Sequence, residues 1–120
     1  MCQQDAPAGK PTISYEDFAK LDLRVATVVE VADHPNADRL IVLKIDLGGE
    51  QRTICAGIKA FYSPEALLGK QIAVVANLEP RKVRGIESNG MLLAASVGEG
   101  KEDIVVLTVD RAVPAGSAIS

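Results

Sequence analysis

The residues Ser63-Pro64-Glu65-Ala66-Leu67-Leu68-Gly69 carry the main helical signal in the middle of this chain. Ser63 is a typical N-cap, Pro64 fits the first helical position, and Gly69 suits the residue after a helix end. The segment therefore predicts a helix of one to two turns. On both sides of it the apolar residues recur with a period of two, which is typical of β-strands.

Three strands are predicted before this helix and two after it. Their ranges are 24–31, 40–46 and 52–56, then 71–78 and 90–96. Five short strands with one helix between the third and the fourth is the element order of an OB-fold barrel. The predicted fold is therefore all-β, an OB-fold five-stranded barrel; from the pattern alone, another small β-barrel or a sandwich stays open.

The flanks of the barrel add three predicted elements. Residues 1–11 are polar and rich in Ala and Pro, and we expect a flexible leader there. Ser14 begins a short N-terminal helix that runs through Lys20. Residues 104–109 predict a C-terminal extension strand, so the folded domain is expected to cover 12–120. The chain contains no run of 18 apolar residues and no signal-peptide core, so we expect no membrane partner.

Charge is distributed unevenly along the 120 residues. The chain has a net charge of −3, but residues 70–86 contain four basic residues and one acidic residue. Three of these cations are Arg81, Lys82 and Arg84. Only 3% of the residues are aromatic, so a platform that stacks several bases is not expected. A nucleic-acid partner would therefore have to use a local basic patch.

The basic segment also has a geometric interpretation. Pro80 stiffens its start and Gly85 allows the chain to turn after it. If the segment is extended, Lys82 and Arg84 point the same way while Val83 points into the barrel. Cations held in this way on the rim of the barrel could engage two or three phosphates. The alternative interpretation is a solvated loop that has no partner.

Candidates for chemistry are few. Two cysteines and one histidine make neither a disulfide framework nor a zinc site, and a reducing cytoplasm fits this content. His34 precedes Pro35, and we interpret it as a turn-shaping residue rather than as a metal ligand or an acid–base group. No phosphate-binding glycine loop, carboxylate pair or nucleophile elbow is present. The sequence therefore predicts no enzyme, no catalytic residue, no metal ligand and no cofactor.

Four motifs occur in a recognisable order. They are Asp22-Leu23-Arg24-Val25, His34-Pro35-Asn36-Ala37-Asp38-Arg39-Leu40, Tyr62-Ser63-Pro64-Glu65, and the long segment that runs from Asn77-Leu78-Glu79-Pro80 through Met91 to Ala95. Together they resemble the tRNA-binding domain family. That family includes the C-terminal domain of bacterial methionyl-tRNA synthetase and a free-standing, structure-specific tRNA-binding protein. The opening residues 13–20 look most like the methionyl-tRNA synthetase branch.

The resemblance implies an OB-fold module that binds tRNA by shape and phosphate contacts, without reading a base sequence. It implies a cytoplasmic, non-catalytic homodimer whose C-terminal extension takes part in dimerisation. The module would act free-standing or as the dimerising appendix of methionyl-tRNA synthetase, which is then a further partner. The alternative function is a chaperone-like or synthetase-assembly domain that binds protein.

Six residues fall on the binding motif of the family. They are Asn77, Arg81, Lys82, Arg84, Ser88 and Met91. The three cations would contact phosphates, which positions a nucleic acid without specifying its sequence.

The other three candidates have two interpretations each. Asn77 and Ser88 could reach a phosphate or a ribose hydroxyl, or could equally brace loops. Met91 could contact an exposed base, but we expect it to be buried in the barrel. Glu79 departs from the family, in which many members have Lys there, and its carboxylate opposes phosphate.

Overall fold

The computed structural model describes residues 9–120, and its elements follow the predicted order. The two helices are α1, Tyr15–Ala19, and α2, Pro64–Leu67. The strands are β1, Leu23–Asp33; β2, Ile41–Asp46; β3, Gln51–Ala56; β4, Gln71–Val75; β5, Arg81–Val83; β6, Ile86–Ser88; β7, Met91–Leu92; β8, Ala94–Val97; β9, Asp103–Val106; and β10, Ala118–Ile119. Most of the predicted leader, residues 1–8, lies outside the described part of the chain. None of the described helices is long and apolar enough to cross a membrane.

Five of these strands form a nearly closed antiparallel barrel. Along the sheet the strands are ordered β3-β2-β1-β4-β7. The barrel closes where the backbone N–H of Asn89, just before β7, donates to the carbonyl of Thr53 in β3 at 2.8 Å. With α2 between β3 and β4, the predicted OB-fold is confirmed.

The barrel interior is filled by the alternating apolar residues of its strands. In β2, Ile41, Leu43 and Ile45 are buried, while Val42 and Lys44 between them are only half-buried. α2 contributes the fully buried Leu67 to the same core. Burying a side chain of this size is worth about 1.5–3 kcal/mol, so the short helix is held mainly by the core contact of its one buried residue.

Both predicted helix starts are confirmed. The Ser14 hydroxyl accepts from the Asp17 N–H at the start of α1, and the Ser63 hydroxyl accepts from the Ala66 N–H at the start of α2. Gly69 has φ +84 directly after α2. Only glycine adopts this backbone conformation without a steric cost, which explains why the helix ends where the sequence predicts.

The later strands differ from their predicted bounds. The fourth strand ends at Val75 and not at Leu78, which is 41% exposed. Ala76 still donates its N–H to the Asp22 carbonyl, one step beyond the last β1–β4 pair, but the Asp22 N–H donates to the Asn77 side chain and not to the backbone, so the ladder ends there. The predicted fifth strand is two strands, because β7 pairs with β4 whereas β8 pairs with β9.

The C-terminal segment folds back on the barrel. The predicted extension strand is present as β9, and the short β10 pairs with the start of β1, which the sequence pattern did not indicate. Gly48 and Gly116 face each other where this segment crosses the β2–β3 loop. A Cβ built on Gly48 would collide with the backbone oxygen of Ala115, and one on Gly116 would collide with that of Leu47.

We expect Gly48→Ala to destabilise the domain by at least about 2–3 kcal/mol, because left-handed strain and a backbone collision add. Gly49→Ala is the matched control. Its φ is also positive, +102, but a Cβ there meets open space, so only the strain of about 1–2 kcal/mol applies. Urea unfolding of both variants measures the difference. Equal free energies of unfolding would mean that the C-terminal segment moves aside without cost.

Candidate nucleic-acid interface

The basic segment forms a β-hairpin between β4 and β7. β5 and β6 pair with each other, and Arg84-Gly85 makes the two-residue turn between them. Both turn residues have positive φ, 53° for Arg84 and 93° for Gly85. This is the backbone conformation of a type I′ turn, whose twist matches that of the flanking strands. The hairpin is therefore a regular two-stranded projection from the barrel.

The turn corrects one expectation about the cations. Lys82 lies on β5, but Arg84 lies in the turn at the tip of the hairpin, so the two do not share a strand face. Val83 is only half-buried. The expectation that Lys82 and Arg84 point the same way from one extended segment is therefore wrong, because the chain turns at Arg84-Gly85. Instead, the cations are placed along the edge and at the tip of a projecting hairpin.

The three hairpin cations are exposed. Five ion pairs occur among residues 9–120, and Arg81, Lys82 and Arg84 take part in none of them. Lys82 is opposite Glu87 in the hairpin register. The hairpin cations thus keep their charge available to an external anion.

Asn77 is used inside the protein. Its Oδ1 accepts from the backbone N–H of Asp22 at 2.8 Å, and its Nδ2 donates to the carbonyl of Lys20 at 2.7 Å. The amide thereby fastens the end of α1 and the start of β1 to the segment after β4. Of the two interpretations, the bracing role is the one with observed contacts.

Ser88 also braces the structure. It is 6% exposed, and its hydroxyl accepts from the Cys55 N–H at 3.0 Å and lies 3.3 Å from the Gly90 carbonyl, to which it donates. These bonds fasten the end of β6 to β3. Since Ser88 is buried, it supports the surface from beneath.

Met91 was expected to be buried, and this expectation is wrong: the residue is 47% exposed. Neighbouring residues of a strand point to opposite faces, and here Leu92 packs against the core. Met91 therefore faces outward and offers an apolar surface to a ligand.

A pocket of about 550 Å³ joins several of these residues. It opens between the segment after β4, the base of the hairpin and β7. Its lining consists of Cys55, Asn77, Leu78, Glu79, Arg81, Ser88, Gly90 and Met91. Four of the six predicted site residues line it, whereas Lys82 and Arg84 lie outside it on the hairpin.

Sequence reasoning missed Cys55 as part of this lining. Cys55 lies on β3, far from the motif in sequence, and comes close only because the barrel closes there. Leu78 and Glu79 lie within the motif and could have been included from their position alone. Burial raises the pKa of the Cys55 thiol, which disfavours its thiolate.

His34 is buried, with 5% of its surface exposed. The backbone N–H of Asn36 donates to its Nδ1 at 3.0 Å, and its Nε2 lies 2.9 Å from the carbonyl of Val83. Both ring nitrogens are thus engaged inside the protein. No group of three or more His, Cys, Asp or Glu side chains suited to a metal is found within residues 9–120.

In an OB-fold, the loop between the first two strands and the loop between the last two border the surface that takes oligonucleotides or oligosaccharides. Here the first of these loops contains His34, and the second contains the hairpin and most of the pocket lining. The fold and the site therefore define a ligand-binding OB-fold barrel.

Comparison with known proteins identifies the family. Residues 23–118 match the sequence model of the family described as "Putative tRNA binding domain". Methionine–tRNA ligase of Pyrococcus horikoshii is 54% identical over 107 residues, which cover 89% of this chain and 14% of the ligase. The ligase of Flavobacterium johnsoniae is 44% identical over 117 residues, 98% of this chain and 16% of the ligase. The chain thus spans about a seventh of the length of these relatives.

Solved structures agree with this result. The MetRS-related protein from Pyrococcus horikoshii superimposes with a TM-score of 0.85 and 33% identity, covering 92% of this chain and all of that one. The chaperone CsaA from Bacillus anthracis superimposes with a TM-score of 0.83 and 35% identity at the same coverage. The chain belongs to the tRNA-binding domain family.

We expect the Cys55 thiol to react slowly with iodoacetamide at neutral pH, because its raised pKa leaves little thiolate. The rate should rise with pH and reach half its maximum above the ordinary thiol value of about 8.5. Mass spectrometry of a Cys2→Ser variant follows this site alone, and the denatured protein is the control. A midpoint equal to that of the denatured protein would contradict the effect of burial.

Proposed function

We propose that this domain binds tRNA through the hairpin Arg81–Ser88 and the adjoining pocket, and that it has no catalytic activity of its own. The observation that carries the proposal is that Arg81, Lys82 and Arg84 are all exposed and that none of them takes part in an ion pair among residues 9–120. Membership of the tRNA-binding domain family supports it. Cations that contact phosphates give affinity without reading bases, so recognition by shape follows.

The six predicted residues divide into two roles in this proposal. Arg81, Lys82 and Arg84 contact phosphates, and Met91 offers an apolar face to an unstacked base. Asn77 and Ser88 hold the segments that carry these groups, since their polar atoms are already bonded within the protein. Glu79 lines the pocket beside Arg81 and lowers the affinity, because its carboxylate repels phosphate.

The setting of this activity follows from the relatives. Since the relatives are methionine–tRNA ligases, we propose that the domain acts in the cytoplasm, free-standing or as an appendix that raises the affinity of methionyl-tRNA synthetase for tRNA. The domain extends over residues 12–120 in this proposal. Its C-terminal part supplies a dimer contact rather than a second binding site.

A homodimer is supported by an apolar face of the β8–β9 hairpin. Val97, Val105 and Leu107 are each 44–45% exposed. Ala95 pairs with Val105 and Val97 pairs with Asp103 in this hairpin, so Ala95, Val97, Val105 and Leu107 alternate onto one face of it, with Asp103 as the acidic residue at its end. Covering such a face with a second copy removes its apolar surface from water.

Protein binding is the second candidate function. It is favoured by the similarity to the chaperone CsaA, whose structure covers 92% of this chain. The apolar β8–β9 face could then contact unfolded polypeptide instead of a second copy. Binding of a reduced, unfolded polypeptide that tRNA does not compete away would support this candidate.

We expect the logarithm of the tRNA association constant to fall with the logarithm of salt concentration with a slope of about −3, or up to about −5 if both subunits engage one tRNA. Arg81→Ala/Lys82→Ala/Arg84→Ala should lose both affinity and slope while staying folded. Filter binding or fluorescence anisotropy over a salt series measures both quantities.

The matched control is Lys10→Ala/Lys101→Ala/Arg111→Ala, which removes the same charge from exposed residues that also take part in none of the five ion pairs among residues 9–120. If both triple variants lost the same tRNA affinity, the effect would come from net charge alone, and the hairpin site would be overturned. In the same series, Glu79→Lys should bind more tightly than wild type, with a slope steeper by about 1.

We expect Val105→Asp to shift the domain from dimer to monomer, because it places a charge in the apolar β8–β9 face. Sedimentation equilibrium measures the mass. Ser96→Asp, which adds the same charge on the opposite face of the hairpin, is the control. A wild-type protein that sediments as a monomer at all concentrations would refute the dimer, and tRNA binding by the monomeric variant would separate the two activities.

A further inference from the structure

His34 connects the loop between β1 and β2 to the basic hairpin between β4 and β7. The donor to its Nδ1 is a backbone N–H, that of Asn36, so Nδ1 carries no proton. The neutral ring therefore has its proton on Nε2, which donates to the carbonyl of Val83. One side chain thus fixes its own turn with one nitrogen and the basic hairpin with the other.

The position of Val83 gives this bond its importance. Val83 is the last residue of β5, next to the turn that carries Arg84. β5 and β6 form a separate two-stranded sheet and add no strand to the barrel. A two-stranded hairpin is only marginally stable by itself, so its position depends on its attachments.

The two ends of the hairpin have different attachments. Its base is held by Ser88, which bonds to the Cys55 N–H of β3. Near its tip, Nε2 of His34 holds the carbonyl of Val83. The Asn36 side chain also lies beside the turn, with its amide nitrogen 4.0 Å from where a Cβ on Gly85 would be. The turn at 34–37 is therefore a support against which the hairpin tip rests.

We propose that His34 is a positioning residue for tRNA binding, which acts through the carbonyl of Val83 to hold Lys82 and Arg84 in place. The inference rests on the proposed function of the hairpin. Cations that are fixed before binding lose less conformational freedom when phosphate arrives, so the affinity is higher than that of a mobile hairpin. His34 itself contacts no phosphate, since it is buried.

Two variants separate the roles of the two ring nitrogens of His34. In His34→Gln, the side-chain amide nitrogen takes the place of Nε2 and still donates to Val83, while the acceptor for Asn36 is lost. In His34→Asn, the side-chain oxygen takes the place of Nδ1 and still accepts from Asn36, but the side chain no longer reaches Val83. Both variants bury an amide of comparable polarity, so they serve as controls for each other.

We expect His34→Asn to weaken tRNA binding by about two- to tenfold, the factor for one hydrogen bond, while His34→Gln stays near wild type. Hydrogen exchange of the amides of residues 81–88, measured without tRNA, should quicken only in His34→Asn. Ser63→Ala, which removes the cap of α2 away from the hairpin, controls for a general loss of stability.

Three outcomes would overturn the role of His34. They are wild-type affinity in His34→Asn, equal weakening in both His34 variants and in Ser63→Ala, and a weakened His34→Gln whose hairpin exchange is unchanged. The last outcome decides the matter even if His34→Asn does not fold. If instead the triple variant Arg81→Ala/Lys82→Ala/Arg84→Ala binds like wild type, the proposed function fails, and the exchange data still show whether His34 holds the hairpin.

Discussion

The long, bent strand β1 is the element on which the whole barrel depends. Its eleven residues pair with β4 along one edge, and along the other edge they pair first with β10 and then with β2. A bulge between Val28 and Glu30 allows one strand to serve two parts of the barrel. A bulge leaves backbone groups unpaired, and such groups are costly when buried. The groups of Val28 are satisfied by the segment between α2 and β4, since the Val28 N–H donates to the Lys70 carbonyl and the Val28 carbonyl accepts from the Gly69 N–H.

This arrangement explains why so short a helix is ordered. α2 has only four residues, far fewer than an isolated helix needs. It is fixed by Leu67 in the core and by the two hydrogen bonds at the bulge of β1. The barrel and the helix therefore stabilise each other.

The elements that local chemistry determines could be predicted from the sequence. The caps at Ser14 and Ser63, the alternation in β2 and the order of five strands around one helix are all confirmed. The element order left a sandwich open, and only the pairing of the strands excluded it. The motif resemblance added the family, which composition and periodicity could not supply.

The errors have two causes, which are contacts distant in sequence for the fourth strand and the residue adjacent in sequence for Met91 and Arg84. Residues 71–78 alternate between apolar and other residues, yet the strand stops at Val75, where the Asp22 N–H bonds to the Asn77 side chain and the backbone ladder does not continue. Met91 was expected inside, but Leu92 occupies the inward position. Arg84 was expected on a strand, although the Gly85 that follows it was recognised as a turn residue. For Met91 and Arg84, the residue adjacent in sequence thus determined where the side chain lies.

The motif 77–91 combines two kinds of residue whose roles are easily confused. Its cations point outward, whereas Asn77 and Ser88 are bonded within the fold. A loss of binding after changing either of the latter would thus report a displaced surface rather than a lost contact. The same distinction applies to His34, which belongs to a different motif but whose buried ring bonds to the Val83 carbonyl of the same hairpin. The motif 34–40 and the motif 77–95 are therefore parts of one structural unit, because the loop between β1 and β2 contacts the hairpin that carries the cations.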